Sequence, residues 1–213
     1  MKLSRAEFNR RYAAGTLRLA LIGMSNIGKS YSGMRLATDY DFTLIEVDRL
    51  IWDALGETDM TAFAAWQGQP YSDGYAERER QSIALETDAT RQSLTMQARN
   101  PLLDTTGSVI YTDKDVLRSL KDDWYVVYIE AAPQHLERLK TQYFAHPKPL
   151  AWNGHFALQD GLSANESLMA CYPELLSSRA DAYAALADRI IGSDAILTTD
   201  SSALFDLIKP VAE

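Results

Sequence analysis

Cysteine is nearly absent from this 213-residue chain, and long apolar runs are missing. The single cysteine, Cys171, cannot form a disulfide within the chain, which suits a reducing compartment and predicts a cytoplasmic protein. No stretch is apolar for long enough to cross a bilayer. The charged residues 1–15 lack the apolar run of a signal peptide. We therefore expect no membrane partner.

The chain also lacks an excess of basic residues. It has 21 lysines and arginines against 29 acidic residues, and its formal net charge is −8. A general nucleic-acid binder needs basic surface to neutralise phosphates, so this balance disfavours a nucleic-acid partner. It does not disfavour a nucleotide site, which holds phosphates with local amides and a few cations. Without internal repeats, residues 1–213 are predicted to form one domain, as a monomer or a homodimer.

Short apolar runs alternate with longer helical patterns along the chain. Strands are predicted at residues 17–22, 42–47, 102–105 and 124–129, and helices at 75–97, 133–144, 166–188 and 201–208. A capping box at residues 4–7 opens an N-terminal helical extension that ends at Gly15, and Thr112 is predicted to cap the helix that follows it. The alternation predicts an α/β fold with a mostly parallel sheet and helices on both faces.

This alternation breaks at about residues 146–165. Two prolines, two glycines and two large aromatic residues occur there without a clear period. The segment is the best candidate for a mobile lid, and a long surface loop fits its composition nearly as well.

A phosphate-binding motif stands near the N-terminus. Residues 23–30, Gly-Met-Ser-Asn-Ile-Gly-Lys-Ser, match G-x-x-x-x-G-K-[ST] at every required position, between a predicted strand and a predicted helix. Lys29 can supply a cation to the β- and γ-phosphates, and the Ser30 hydroxyl can bind Mg²⁺. Asn26 replaces a glycine common in small-molecule kinases, and asparagine is the next best residue for positive φ. The predicted site for ATP comprises Gly23, Ser25, Asn26, Ile27, Gly28, Lys29, Ser30 and Tyr31.

From about residue 17 to 208 the chain resembles shikimate kinases. Besides the P-loop, the resemblance rests on Ile-Glu-Val-Asp-Arg-Leu-Ile at 45–51, Gly-Ser-Val at 107–109, Val-Val-Tyr-Ile-Glu at 126–130, Lys-Pro-Leu at 148–150, and residues 179–188. Only the P-loop is specific by itself, but the order and spacing of these pieces support one another. The resemblance implies a P-loop NTPase three-layer fold, with a five-stranded parallel sheet, helices on both faces, and a lid that closes over ATP and Mg²⁺.

The resemblance also implies roles in catalysis and metal binding. Asp48 falls on the family's aspartate that contacts the hydroxyl to be phosphorylated, and Lys148 stands at the lid arginine that reaches the transferring phosphate. Glu46 lies where the family has an aspartate near the metal. Asp104 ends an apolar strand, which is the placement of a Walker B carboxylate that holds Mg²⁺. Simpler interpretations are a helix cap for Asp48, a solvated strand end for Glu46 and a turn residue for Asp104.

The acceptor site departs from the family pattern. Arg179 occupies the place of a substrate arginine that grips a carboxylate, although a solvated helix arginine is an equal alternative. A second substrate arginine aligns with Ala76, and Arg78 is a poor replacement because it faces elsewhere on a helix. The family's triple glycine is Thr-Thr-Gly at 105–107, which keeps Gly107 as a predicted substrate contact and adds two β-carbons. We therefore do not expect shikimate to be the substrate.

Three functions remain open at this level. The first is a kinase that phosphorylates a hydroxyl-bearing small molecule, with adenine contacts implied near Arg138 by the family. The second is a nucleotide-binding regulatory module without turnover, which the altered glycine triplet favours. The third is a nucleoside or nucleotide kinase, in which Trp152, Phe156 or Tyr172 stacks on a base rather than packing in the lid. A GTPase is disfavoured because no N-K-x-D signature is present.

Overall fold

The structure is a computed structural model, and it describes residues 2–56, 60–145 and 149–211. The five strands in these residues are β1 Leu19–Ile22, β2 Thr43–Glu46, β3 Pro101–Asp104, β4 Tyr125–Glu130 and β5 Arg189–Gly192. The α-helices are α1 Arg5–Ala14, α2 Lys29–Asp39, α3 Val47–Leu55, α4 Met60–Gln67, α5 Tyr75–Thr95, α6 Lys114–Asp123, α7 Pro133–Ala145, α8 Ala164–Leu186, α9 Ser193–Thr198 and α10 Ser201–Ile208. A 3₁₀ turn spans Val109–Tyr111.

The strands form one parallel sheet in the order β2-β3-β1-β4-β5. Every residue of β1 and β3 is buried. Because successive side chains of a strand point to opposite faces, both faces of the sheet are covered. Helix α2 packs on β1, β2 and β3, and helices α6 and α8 pack on β4. The predicted α/β class and the five-stranded parallel sheet are confirmed.

The register aligns the ends of three strands at one edge of the sheet. Leu21 of β1 pairs with Asp104 of β3, and Asp104 pairs in turn with Glu46 of β2. The P-loop follows β1 directly. Ligands of open α/β sheets bind at this carboxyl edge, so the register places the predicted metal and phosphate groups side by side.

The two ends of α1 and the start of α6 test the caps predicted from the sequence. The Ser4 hydroxyl accepts a hydrogen bond from the Glu7 N–H at 3.2 Å, and Gly15 ends α1 with φ 74°, as predicted. The prediction for Thr112 was wrong, because the N-cap position of α6 belongs to Asp113. The Thr112 hydroxyl instead donates to the Val109 carbonyl at 2.6 Å, which closes the preceding turn.

A second, smaller apolar cluster lies beside the main core. It joins α5, α7 and α8 to the segment that precedes α8 and comprises Tyr75, Tyr143, Trp152, Leu168, Cys171, Tyr172 and Leu175. Trp152 is 1% exposed, and Phe156 packs against the same cluster. These aromatic rings pack with one another rather than line the large cavity. The assignment of residues 146–165, which include Trp152 and Phe156, to a lid stays a prediction. Residues 146–148 lie outside the described residues.

In the part of the chain that the structure describes, no helix is both long and apolar enough to span a membrane.

Candidate active site

The P-loop has the backbone geometry that its sequence predicts. Gly23 and Gly28 have φ values of 142° and 111°, and Asn26 has φ 62°. A β-carbon at Gly23 would lie 2.7 Å from the carbonyl oxygen of Ile129, so only glycine fits there. Ile27 is buried beneath the loop. The loop therefore turns back on itself and leads directly into the first turn of α2. A loop of this kind before a helix N-terminus binds phosphate through its backbone amides.

Lys29 is buried at the start of α2. Its Nζ donates hydrogen bonds to the carbonyl oxygens of Gly23 at 3.0 Å and Met24 at 2.9 Å. Burial lowers the pKa of Lys29, and the nearby carboxylates of Asp104 and Asp48 oppose that change. The amine is thus held at the loop, surrounded by groups that favour its charged form.

The carboxyl edge of the sheet offers oxygen ligands for a divalent cation. Burial raises the pKa of Asp104, while the charge of Lys29 and a contact from the Ser30 hydroxyl oppose the shift. The Oδ1 atom of Asp104 is buried without a hydrogen-bond partner. Among the described residues no cluster of three or more metal-ligating side chains occurs. Ser30 and Asp104, with Glu46 on the adjacent strand, fit Mg²⁺ that takes its remaining ligands from phosphate and water.

A cavity of about 610 Å³ opens in front of the P-loop. Residues of the P-loop, of helices α2, α3, α4, α5 and α7, and of the turn after β3 line this cavity, together with Pro149 and Ala151. Of the residues predicted for the site, those lining this cavity are Ser25, Asn26, Gly28, Lys29, Ser30, Tyr31, Asp48, Gly107 and Arg138. Its volume suits a small-molecule site. Lys148 lies outside the described residues.

Asp48 lies in the first turn of α3 and lines the same cavity as the P-loop. The alternative that Asp48 caps this helix is wrong, because the helix begins at Val47 and the N-cap position belongs to Glu46. The charge of Asp48 acts on Lys29 and on Glu86. Its position is compatible with orienting a hydroxyl toward a phosphate held by Lys29.

Arg179 is 2% exposed and binds backbone rather than solvent, so the interpretation as a solvated helix residue is wrong. Its guanidinium donates to the carbonyl oxygens of Gly107 at 3.0 Å and Ala151 at 2.7 Å, and it lines a separate cavity of about 40 Å³. A β-carbon at Gly107 would lie 2.8 Å from the Ser25 Oγ, so the turn after β3 touches the P-loop. Arg179 thus ties that turn to the segment that follows α7.

Sequence reasoning missed Glu86, a buried carboxylate on α5 that lines the large cavity. The Thr106 and Ser108 hydroxyls donate to its two oxygens, the latter at 2.5 Å. Burial raises its pKa to about 7, and the two hydrogen bonds oppose the shift. The sequence has no apolar stripe that marks this position, since the buried residues one and two turns further along the helix, Thr90 and Ser93, are polar as well.

Comparison with solved structures supports the same architecture. A shikimate kinase from Acinetobacter baumannii in complex with shikimate has a TM-score of 0.60 and 21% identity, over 92% of this chain and 91% of that chain. Shikimate kinases from Bacteroides thetaiotaomicron and Aquifex aeolicus have TM-scores of 0.57 and 0.52, with 18% and 16% identity. They cover 90% and 91% of this chain, and 94% and 92% of their own chains. No protein-family model and no curated protein sequence matches. The chain therefore has the shikimate kinase-like P-loop NTPase fold, as a divergent example.

Proposed function

We propose that this protein transfers the γ-phosphate of ATP to a hydroxyl group of a small molecule other than shikimate. The observation that carries the proposal is that Lys29 and Asp48 line one cavity and that the charge of Asp48 acts on Lys29. The shikimate kinase-like fold adds support, since the solved structures that share it are kinases. Altered residues in the turn after β3 argue for a different acceptor.

Each residue has a defined task in this proposal. When bound, ATP supplies the phosphoryl group, and Mg²⁺ neutralises part of the negative charge on the phosphates. The P-loop amides and Lys29 hold the phosphates, and Ser30 and Asp104 hold the metal, with Glu46 beside them. Asp48 orients the acceptor hydroxyl and accepts its proton. Arg138 on α7 contacts the nucleotide from the other side of the cavity, and Lys148 contacts the transferring phosphate.

The test is a thermal-shift and ADP-release assay with ATP, Mg²⁺ and a panel of hydroxylated compounds. Lys29→Ala should abolish the ATP-dependent rise in Tm, because the phosphate-binding cation is lost. Asp48→Asn should retain that rise and lower transfer by about 100-fold or more, since general base catalysis contributes on this order. The exposed residues Lys114 and Asp53 provide the controls Lys114→Ala and Asp53→Asn, which should behave as wild type.

The outcomes separate the competing functions. ATP binding without transfer to any compound would favour the nucleotide-binding regulatory module. Transfer confined to nucleosides or nucleotides would favour the third hypothesis. If ATP leaves the Tm unchanged, the predicted ATP binding at the P-loop is wrong, and the proposal fails with it.

A further inference from the structure

One part of the cavity wall is acidic and aromatic. We call it the acceptor end and define it by Asp48, Trp52, Phe63, Ser82, Glu86 and Thr106. The Trp52 and Phe63 rings meet edge to face, with centroids 5.6 Å apart. Among the described residues that line the cavity, the cations are Lys29 on the P-loop and Arg138 on α7. The acceptor end thus contributes two carboxylates and, among the described residues that line it, no cation, and both carboxylates act on the charge of Lys29.

Arg179, the arginine expected to bind an acceptor carboxylate, and Arg78, its poor second partner, both bind backbone groups instead. Arg179 donates to the carbonyl oxygens of Gly107 and Ala151 and faces the smaller cavity. Arg78 donates to the carbonyl oxygens of Gln67 at 3.0 Å and Asp73 at 2.9 Å. Both guanidinium groups therefore stabilise loops. A carboxylate at the acceptor end would meet Asp48 and Glu86 without the bidentate partner that such a group requires.

Glu86 is buried and held in place by hydrogen bonds, as a residue that recognises a ligand is expected to be. It is 4% exposed, and its hydrogen-bond partners among the described residues are the neutral hydroxyls of Thr106 and Ser108. The charge of Asp48 disfavours ionisation of Glu86. A cation in the cavity would relieve the repulsion between the two carboxylates, whereas a neutral polyol would not. Aromatic rings also attract a cation across their faces.

We infer that the acceptor is a hydroxylated amine whose ammonium group binds Glu86 beside Trp52 and Phe63, while Asp48 orients its hydroxyl group. This inference rests on the proposed kinase function and names its substrate class. A hydroxylated amine differs from shikimate, the hydroxylated acid bound to the Acinetobacter baumannii shikimate kinase.

The test uses matched compounds that differ in one group. Glucosamine, glucose and glucuronate form one set, and 2-aminoethanol, ethylene glycol and glycolate form a second. Binding to the wild-type chain is measured by calorimetry with Mg²⁺ and a non-hydrolysable ATP analogue present. In at least one set, the amine should bind about 10- to 100-fold more tightly than both partners, as expected for one charge-assisted contact. Glu86→Gln should remove this preference and leave the affinity for the analogue unchanged.

Glu77, exposed on the same helix, provides the matched control Glu77→Gln, which should keep the preference. If neither set contains an amine that binds more tightly than its acid and neutral partners, the inference is wrong, and this comparison needs no variant. If the acid or neutral compound binds more tightly instead, and is phosphorylated when ATP replaces the analogue in the ADP-release assay, the kinase function stands and only the inference fails. If the ATP analogue does not bind, the proposed function fails as well.

Discussion

Two buried carboxylates, Glu86 and Asp104, lie near the buried amine of Lys29. Burying charged groups is unfavourable unless they are paired or hydrogen-bonded. Burial raises the pKa of both carboxyls and lowers the pKa of the amine, so all three are shifted toward their neutral forms. Clusters of shifted groups in a cleft are typical of functional sites. Burial of these three groups destabilises the folded state, which is consistent with selection for chemistry at this site.

The pKa of Glu86 makes a prediction for the pH dependence of stability. Folding raises it from 4.5 to about 7, so between these values the folded state binds more protons at this site than the unfolded state. The free energy of unfolding should therefore fall as the pH rises through this window, by about 3 kcal/mol at most from this group. Glu86→Gln should lose this component. Urea unfolding of both proteins between about pH 4 and pH 8 measures it as the difference between the two curves.

Glu77→Gln is the control, because Glu77 is exposed and hydrogen-bonded to Gln81 at 3.0 Å on the surface of the same helix. Its curve should follow that of the wild type across the window where Glu86 titrates. A constant difference between wild type and Glu86→Gln across the whole range would contradict the raised pKa.

Site residues differ in how far the sequence predicts them. The P-loop residues were predictable because their function depends on local backbone geometry, which consecutive residues specify. Asp48 was placed by its position after a strand, and it lines the cavity. Glu86 was missed, and the buried backbone contacts of Arg179 were not predicted, because the partners of both residues are distant in sequence and only tertiary packing brings them together. The Arg179 guanidinium, for example, contacts Gly107, which is 72 positions away.

At the scale of elements, α8 connects the two apolar clusters. Its first half contributes Leu168, Cys171, Tyr172 and Leu175 to the smaller cluster, and its second half contributes Tyr183 and Leu186 to the main core. The helix begins with a complete capping box, in which the Ser163 hydroxyl accepts from the Glu166 N–H at 3.3 Å and Glu166 accepts from the Ser163 N–H at 2.8 Å. The cap fixes where the preceding segment ends.

Ser163→Ala should destabilise the protein by about 1 kcal/mol, because the first turn of α8 loses its side-chain acceptor. Ser177 is exposed inside the same helix, so Ser177→Ala should leave stability unchanged or raise it slightly, since alanine favours helix. Urea unfolding followed by far-UV circular dichroism measures both. Equal effects of the two substitutions would show that the capping box does not hold the start of this helix.

Element prediction succeeded where the apolar pattern was strong. The strands β1 to β4 follow short apolar runs and were predicted within a few residues. The pattern did not predict β5, because its apolar run is only two residues long, Ile190 and Ile191, between an arginine and a glycine. The resemblance to shikimate kinases supplied the fifth strand instead. The start of α3 was also missed, since Val47 continues the apolar run of β2 and its backbone turns into the helix because of the packing around it.

Over the whole molecule, stability is distributed unevenly. The sheet and its helices form a continuous buried core, and the smaller cluster holds residues 149–152 through Tyr75, whose hydroxyl donates to the Leu150 carbonyl at 2.8 Å. Residues 157–163 are all exposed. Segments with few buried apolar contacts open at a lower free energy than the core. The outer half of the predicted lid should therefore open while the rest of the chain stays folded.

Cys171 is a built-in probe for this opening. It is buried in the smaller cluster and contacts the Ala157 carbonyl and the Gln159 side chain in the exposed segment. Its reaction with a thiol reagent should proceed by local opening, at a rate that is faster than global unfolding permits and independent of urea at low concentrations. A non-hydrolysable ATP analogue with Mg²⁺ should slow the reaction if the segment closes over the nucleotide.

A thiol placed in the sheet provides the comparison. In a Cys171→Ala, Ala20→Cys double variant, the cysteine lies in β1, where Ala20 is fully buried, and its reaction should require global unfolding. Equal protection of the two thiols would mean that residues 157–163 open only when the whole chain unfolds. That result would contradict a mobile lid, because a segment that gates a nucleotide site must move while the P-loop and the sheet beneath it remain in place.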